Sequence, residues 1–130
     1  MTESITVSAH FNTSAQKIYQ AWLNSREHSG FTGSEAVISA RKGGKFTAWD
    51  GYISGKNLEL TPFKSIVQAW RTTDFHENDP DSLVEILFEE KNGKTTVTIR
   101  HSNIPEGQGK GYKKGWIDFY FSPMREYFLK

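Results

Sequence analysis

Hydrophobic and polar residues alternate strictly near the start of the chain. Ile5, Val7, Ala9 and Phe11 fall on one side of the stretch, and polar residues lie between them. Alternation with a period of two is typical of a strand that buries one face. The pattern therefore predicts a half-buried strand over residues 4–11.

The spacing of apolar residues then changes to a helical period. Thr13 and Gln16 have the separation of a capping box, in which each side chain binds a backbone amide at the start of a helix. A helix is predicted over residues 14–24, and a second short helical turn over 25–31. Two short helices are thus expected directly after the first strand.

The period of two returns from residue 35 onward. Gly43-Gly44, Asp50-Gly51 and Asn92-Gly93 interrupt the alternation, and glycine tolerates the positive φ that tight hairpin turns need. Strands joined by such turns are antiparallel neighbours in one sheet. Six further strands are predicted, at residues 35–41, 45–51, 52–60, 65–71, 82–90 and 95–101.

A wide aromatic stripe predicts a long helix from Tyr112 to Leu129. Its large apolar side chains recur every three or four residues, at Tyr112, Trp116, Phe119, Tyr120, Met124, Tyr127 and Phe128. Such a helix is about 27 Å long and can lie across a whole sheet. Pro123 lacks an amide hydrogen, so it predicts either a kink that opens space between helix and sheet or the start of a second helical segment. The predicted class is α+β, a curved seven-stranded antiparallel sheet around a long C-terminal helix.

Composition narrows the functional classes. A length of 130 residues suggests one domain, residues 1–130, and a net charge of +1 gives no reason to expect a nucleic-acid partner. The chain has no cysteine, which excludes disulfides and thiolate chemistry. No apolar run approaches the roughly 20 residues of a membrane span, and the first residues do not resemble a signal peptide. A cytoplasmic protein is the expectation.

Candidate reactive residues are few. The four histidines are spread along the chain without the spacing of a metal site, so no metal and no cofactor are predicted. His101 shares the inward face of its strand with Val97 and Ile99. The favoured interpretation of His101 is a hydrogen-bonded histidine at a strand end. The alternative is a polar ligand anchor or an acid–base group.

The segment 107–115 is rich in glycine and lysine. It lacks the residues that complete a phosphate-binding loop, so a hinge at the mouth of a cavity is the preferred interpretation. Lys110, Lys113 and Lys114 could still attract an anionic ligand group to that mouth. The acidic stretch 72–81 is interpreted as a solvated loop rather than a calcium site. No catalytic residues are predicted from serines or carboxylates.

Several short motifs occur in a fixed order along the chain. They are Gly43-Gly44-Lys45-Phe46, Asp50-Gly51-Tyr52-Ile53-Ser54-Gly55, Leu58-Glu59-Leu60-Thr61-Pro62, Ile66-Val67-Gln68-Ala69-Trp70-Arg71, Asn92-Gly93-Lys94-Thr95-Thr96-Val97-Thr98, His101 through Ile104-Pro105, and Gly115-Trp116 with Tyr120. Together they resemble the family related to the C-terminal domain of the activator of the ninety-kilodalton heat-shock chaperone ATPase, within the SRPBCC superfamily. The resemblance implies a helix-grip fold, which agrees with the periodicity.

The resemblance also implies a function. Members of the superfamily mostly bind hydrophobic small molecules between helix and sheet, some are cyclases, and the named family stimulates a chaperone. The leading hypothesis is a non-catalytic protein that binds a small hydrophobic or aromatic ligand between the sheet and the C-terminal helix. The alternatives are a co-chaperone-like interaction module and a cyclase or dehydratase with His101 as its acid–base group. The predicted ligand-binding residues are Phe46, Trp70, Phe88, Ile99, His101, Trp116 and Tyr120.

Overall fold

Seven antiparallel strands form a single sheet in the computed structural model of the protein. The structure describes residues 2–129, so Met1 and Lys130, the two ends of the predicted domain, lie outside the described residues. The strands are β1 (Thr2–Phe11), β2 (Val37–Ile38), β3 (Lys45–Ala48), β4 (Ile53–Thr61), β5 (Ser65–Thr72), β6 (Ser82–Lys91) and β7 (Lys94–Pro105). Their spatial order is β1-β7-β6-β5-β4-β3-β2, so β1 crosses to pair with the last strand.

Two short helices follow β1, and one long helix follows β7. The short helices are α1 (Ala15–Trp22) and α2 (Ser25–Thr32). The long one begins as α3 (Gly109–Gly115), passes through a π-helical segment (Trp116–Phe121) and ends as α4 (Ser122–Tyr127). The backbone stays right-handed and helical at both junctions, so residues 109–127 form one C-terminal helix. No helix within residues 2–129 has the length and apolar character to cross a membrane.

This architecture confirms the predicted α+β helix-grip fold. Two of the strands were predicted too long. The strand predicted at 35–41 is reduced to the two residues of β2, and β3 ends at Ala48 instead of continuing to residue 51. β3 ends early because Trp49 and Asp50 take two consecutive positive φ values, 54° and 56°, which turn the backbone away from the extended conformation.

The predicted capping box was also wrong. Ser14, not Thr13, is the N-cap of α1, and its hydroxyl accepts a hydrogen bond from the Lys17 amide at 3.2 Å. The Ala15 amide donates to Oε1 of Glu90 on β6 at 2.8 Å. Two of the free amides at the start of α1 are therefore satisfied by groups that the local sequence pattern did not indicate.

A π-helical turn precedes Pro123, which stands at the beginning of the helical segment α4, as the alternative interpretation of this proline expected. The Ser122 amide donates to the carbonyl of Ile117, five residues earlier, and the backbone then continues into α4. The wider turn accommodates the bond that Pro123 cannot make. It also rotates the aromatic stripe. Tyr120 is buried as expected, whereas Phe119, predicted to face inward, is 58% exposed.

The core lies between the inner face of the sheet and the helices. The predicted alternation of β6 and β7 is confirmed, because Val84, Ile86 and Phe88 and, on the neighbouring strand, Val97, Ile99 and His101 are all buried. Ile18 of α1 and Met124 of α4 pack with them and are fully buried. Burial of this continuous apolar face is the main force that attaches the helices to the sheet.

Gly55 of β4 lies where the neighbouring strands leave no room for a side chain, and it pairs with Phe46 on β3 and Trp70 on β5. A Cβ atom at this position would lie 1.9 Å from the carbonyl oxygen of Ala69 and 2.8 Å from Cζ of Phe46. We predict that Gly55→Ala lowers the free energy of unfolding by at least about 2 kcal/mol in urea denaturation, because the strands must separate to admit the methyl group. Ser54→Ala, one residue earlier, is the control. Equal losses for the two variants would contradict the prediction.

Candidate functional site

A pocket of about 380 Å³ lies between the first half of the C-terminal helix, the turn that joins β3 to β4, and the strands β4 and β5. This volume is within the range of small-molecule sites. Tyr52 and Phe119 are 39% and 58% exposed and mark its mouth. The lining residues are mostly aromatic, and they are Ser34, Trp49, Asp50, Tyr52, Ile53, Trp70, Tyr112, Gly115, Trp116, Phe119 and Tyr120.

Three of the predicted ligand-binding residues meet in this pocket. Trp70 comes from β5, and Trp116 and Tyr120 come from the π-helical segment. The indole rings of Trp70 and Trp116 have centroids 5.5 Å apart, and the rings of Trp116 and Tyr120 are 4.9 Å apart. The three side chains thus form one continuous aromatic wall.

The other four predicted residues lie elsewhere. Phe46 and Ile99 are buried in the core and do not line the pocket. Phe88 borders a second depression of about 670 Å³, whose lining includes the charged residues Lys64, Glu89, Glu90 and Arg100. His101 is fully buried behind Trp116. Ligand contact at any of the seven residues stays a prediction.

The turn between β3 and β4 supplies pocket residues that the sequence reasoning missed. Trp49, Asp50 and Gly51 have φ values of 54°, 56° and 90°, three consecutive left-handed residues. Left-handed backbone is unusual for a tryptophan and is more common at functional sites than elsewhere. The Asp50-Gly51 pair signalled this turn, and the aromatic residues on either side of it, Trp49 and Tyr52, were the available hint. The Trp49 ring meets Phe119 edge to face at 5.8 Å.

His101 holds Trp116 in place from behind the wall. The Trp116 indole N–H donates to Nδ1 of His101 at 3.1 Å, which requires that nitrogen to be unprotonated. Nε2 of His101 therefore carries the proton and donates to the Ser82 hydroxyl at 2.8 Å, which in turn donates to the Trp70 carbonyl at 2.7 Å. Burial lowers the pKa of His101 to about 3, so the ring is neutral at physiological pH.

His28 holds Tyr120 in place by a hydrogen bond, as His101 holds Trp116. Its Nδ1 donates to the Trp22 carbonyl at 2.9 Å, so Nε2 is left to accept a hydrogen bond from the Tyr120 hydroxyl at 2.8 Å. Burial lowers the pKa of His28 to about 4, against the smaller opposing effect of the bond to Trp22. Burial also raises the pKa of the Tyr120 phenol. Two neutral histidines thus fix two adjacent aromatic rings of the pocket wall.

Hydrogen bonds hold two phenols of the pocket lining, Tyr52 and Tyr112. Tyr112 donates to Oε1 of Gln108 at 2.6 Å, and its oxygen lies 2.6 Å from the Thr72 hydroxyl. Tyr52 donates to Oδ2 of Asp74 at 2.5 Å. Burial raises the pKa of Tyr112 to about 12, and burial together with the bond to Asp74 raises the pKa of Tyr52. Both phenols therefore remain uncharged.

The start of the C-terminal helix is held by a carboxylate from β1. Oε2 of Glu3 accepts from the Gly107 amide at 3.0 Å, and Oε1 accepts from the Gly109 amide at 2.8 Å. These bonds lower the pKa of Glu3. The helix N-terminus is thus occupied by a group of the chain itself. Lys110, Lys113 and Lys114 are all exposed, and none of them lines the pocket.

The pocket offers binding surface rather than reactive groups. No histidine, lysine or arginine is among its lining residues. Within the part of the chain that the structure describes, no three histidine, aspartate or glutamate side chains come together as a metal site. The arrangement can enclose an apolar body between aromatic rings, with polar atoms confined to the mouth.

Comparison with known proteins assigns the family. The family model described as Activator of Hsp90 ATPase homolog 1-like protein matches residues 12–128. The chain belongs to this family. The family resemblance expected from the motifs is therefore confirmed.

Relatives in the family share most of this chain. The human protein named Activator of 90 kDa heat shock protein ATPase homolog 1 is 31% identical over 127 residues, which cover 98% of this chain and 37% of the human protein. The chain thus spans a little over a third of the human relative. The crystal structure of an HSP90 activator from Plasmodium falciparum has a TM-score of 0.85 and 25% identity, and the match covers 93% of this chain and 92% of that one.

A further solved structure shows the fold alone. The solution structure of the Aha1 dimer from Colwellia psychrerythraea has a TM-score of 0.79 and 19% identity, covering 97% of this chain and 96% of that one.

The two buried histidines predict a specific dependence of stability on pH. Their pKa values are near 6.5 in the unfolded chain and about 4 and 3 when folded. The unfolded state therefore takes up more protons below pH 6.5, and stability falls as the pH falls. We expect the free energy of unfolding to fall as the pH is lowered from about 6.5 to about 5, with a slope per histidine that approaches about 1.4 kcal/mol per pH unit below pH 6, measured by urea denaturation.

The exposed His76 provides the control. His76→Asn should leave the slope of stability against pH unchanged, whereas His28→Asn should reduce it while lowering stability at neutral pH. A stability that stays constant between pH 6.5 and pH 5 would show that these histidines are not neutral in the folded protein.

Proposed function

We propose that this domain, taken as residues 1–130, binds a small hydrophobic or aromatic ligand in the pocket between the C-terminal helix and the sheet, without catalysing a reaction. The observation that supports this most directly is the aromatic wall of Trp70, Trp116 and Tyr120 around a cavity of about 380 Å³. Aromatic side chains bury a large apolar area of a guest and orient it by ring contacts. A cytoplasmic location stays a prediction.

Gly115 supports the proposal because it keeps the pocket wide. It lies inside the C-terminal helix, where glycine is less favourable than alanine by about 1 kcal/mol. A Cβ atom there would meet only Cδ2 of Phe119, at 4.0 Å, so a larger residue could be accommodated without a backbone clash. Gly115 thus lowers the intrinsic stability of the helix at a position where a larger side chain would enter the cavity.

The buried position of His101 argues against the enzyme hypothesis. Both nitrogens of its ring are engaged, with Trp116 and Ser82, and Trp116 stands between it and the pocket. An acid–base group must reach the proton it transfers directly or through one water. We therefore assign His101 the role of positioning Trp116 rather than that of a reacting group.

The proposal predicts that Gly115→Leu blocks binding. The leucine side chain would occupy part of the cavity, so the affinity for a neutral aromatic probe such as N-phenylnaphthylamine should fall at least about tenfold, as expected when an apolar contact surface of side-chain size is displaced. The measurement is a fluorescence titration, with the indole N–H signals of Trp49, Trp70 and Trp116 followed by NMR as an independent readout.

Gly111→Leu is the matched control. Gly111 lies one turn earlier in the same helix and does not line the pocket, and a Cβ atom added to it would meet no other atom within 4 Å. Both variants replace a helical glycine with the same residue, so they share the gain in helix propensity. Unchanged affinity in Gly115→Leu, or failure of the unsubstituted protein to bind any neutral aromatic probe, would count against the proposal.

A second candidate function is contact with a heat-shock chaperone. It is favoured by the names of two similar proteins, the human activator homolog and the Plasmodium falciparum HSP90 activator. The test combines a pull-down with the ninety-kilodalton chaperone and an assay of the ATPase rate of the chaperone. Retention together with a raised rate, equal for the unsubstituted chain and Gly115→Leu, would assign the contact to the outer surface. No retention and no stimulation would remove this candidate.

A further inference from the structure

Charge is distributed unevenly around the pocket. Of its lining residues, Asp50 alone carries a formal charge at neutral pH, because the other polar members are a serine and phenols. The phenols of Tyr52, Tyr112 and Tyr120 stay protonated, since burial raises the pKa of each. A ligand in the pocket therefore meets one negative charge and no positive one.

Four hydrogen-bond donors of the wall are already engaged. Trp116 donates to His101, Tyr120 to His28, Tyr112 to Gln108 and Tyr52 to Asp74. An indole or phenol has a single proton to donate, so these four groups have none left for a guest. Acceptors remain available to a guest at the mouth, above all the carboxylate of Asp50 and the oxygen of Tyr52.

Asp50 is held firmly at the edge of the pocket. Its Oδ1 accepts from the Glu35 amide at 3.0 Å, and its Oδ2 accepts from the Ser34 hydroxyl at 3.1 Å. Each carboxylate oxygen has two acceptor sites, so one remains on each oxygen after these bonds. The ion pairs found within residues 2–129 are Lys42–Glu59, Arg71–Asp81 and Lys114–Asp118, and none of them includes Asp50. Its charge is thus available to a ligand.

The faces of the aromatic rings also favour a positively charged ligand group. The face of a tryptophan or tyrosine ring carries partial negative charge and attracts a cation that lies within about 6 Å of the ring centre. An anionic head group would meet these faces and the Asp50 carboxylate with no compensating cation. The lysines at 110, 113 and 114 do not line the pocket. The sequence suggested that these lysines could attract an anionic ligand group, but the pocket lining contains no lysine that could do so.

We propose that the pocket selects hydrophobic amines, ligands with an apolar aromatic body and a protonated amino group that pairs with Asp50, over neutral and anionic ligands of the same shape. This inference rests on the proposed binding function and specifies its ligand class. The aromatic body lies against Trp70 and Trp116, and the ammonium group lies at the mouth between the Asp50 carboxylate and the rings of Trp49 and Tyr52.

Three ligands with one skeleton test the proposal. Naphthylmethylamine is cationic at neutral pH, naphthylmethanol is neutral, and naphthoate is anionic. Their affinities are measured by titration of the indole N–H signals in NMR spectra at low ionic strength. We expect the amine to bind roughly tenfold more tightly than the alcohol, as one exposed ion pair with cation–π contacts would give, and naphthoate to bind least.

Asp50→Asn removes the negative charge of the carboxylate while keeping the hydrogen bonds that fix the turn. The amide oxygen can accept from the Glu35 amide while the NH₂ group donates to the Ser34 hydroxyl, so both bonds that fix the turn are retained. We expect this variant to lose most of the tenfold preference for the amine and to bind the alcohol as before. Asp118→Asn is the control, since it removes the same charge from an exposed residue that does not line the pocket.

The outcomes distinguish the inferred preference for amines from the proposed binding function on which it rests. A preference for the amine that Asp50→Asn abolishes and Asp118→Asn retains supports the inference. Equal affinities for amine and alcohol, tighter binding of naphthoate, or a preference that survives Asp50→Asn would overturn it while leaving the binding function intact. Absence of binding by all three ligands would remove both.

Discussion

The pocket depends on two buried histidines that stay neutral. His101 accepts a hydrogen bond from Trp116, and His28 accepts one from Tyr120. In each case the other ring nitrogen is committed to a second partner, so the tautomer is fixed and the aromatic ring has one favoured position. Without these bonds, an indole and a phenol facing the core would leave unsatisfied polar atoms, each costing about 1–3 kcal/mol. The aromatic wall is therefore positioned by polar chemistry behind it.

Hydrogen bonds to groups outside the lining also position other polar side chains of the pocket. Within residues 2–129, no buried side-chain nitrogen or oxygen lacks a hydrogen-bond partner. The phenols of Tyr52, Tyr112 and Tyr120 and the indole of Trp116 donate their protons to groups outside the cavity lining, which are Asp74, Gln108, His28 and His101. The space left between helix and sheet is consequently apolar in its depth and rich in acceptors at its mouth. An enclosed binding surface and a stable core are thus built from the same side chains.

Sequence periodicity predicted the layers of this fold but not the details of its site. Strict alternation placed the buried faces of β6 and β7 correctly, since one slipped residue would expose the entire apolar face. The π-helical turn that exposes Phe119 was not predictable, because its cost is offset by tertiary packing that the local pattern does not encode. Pairing of His28 with Tyr120 joins residues 92 positions apart, and the left-handed backbone of Trp49 has no local signature.

The carboxylate that caps the C-terminal helix has a consequence for synthesis of the protein. Glu3 binds the amides of Gly107 and Gly109, and β1 pairs with β7. The first residues to be synthesised therefore form contacts with residues about a hundred positions later in the chain. On the ribosome, β1 has no neighbouring strand until β7 has emerged, and it remains an open edge that other chains can pair with. The pocket cannot exist before residues 109–127 are available to cover it. A ligand can therefore bind only the nearly complete domain, and the folding of this chain should be slow for its length.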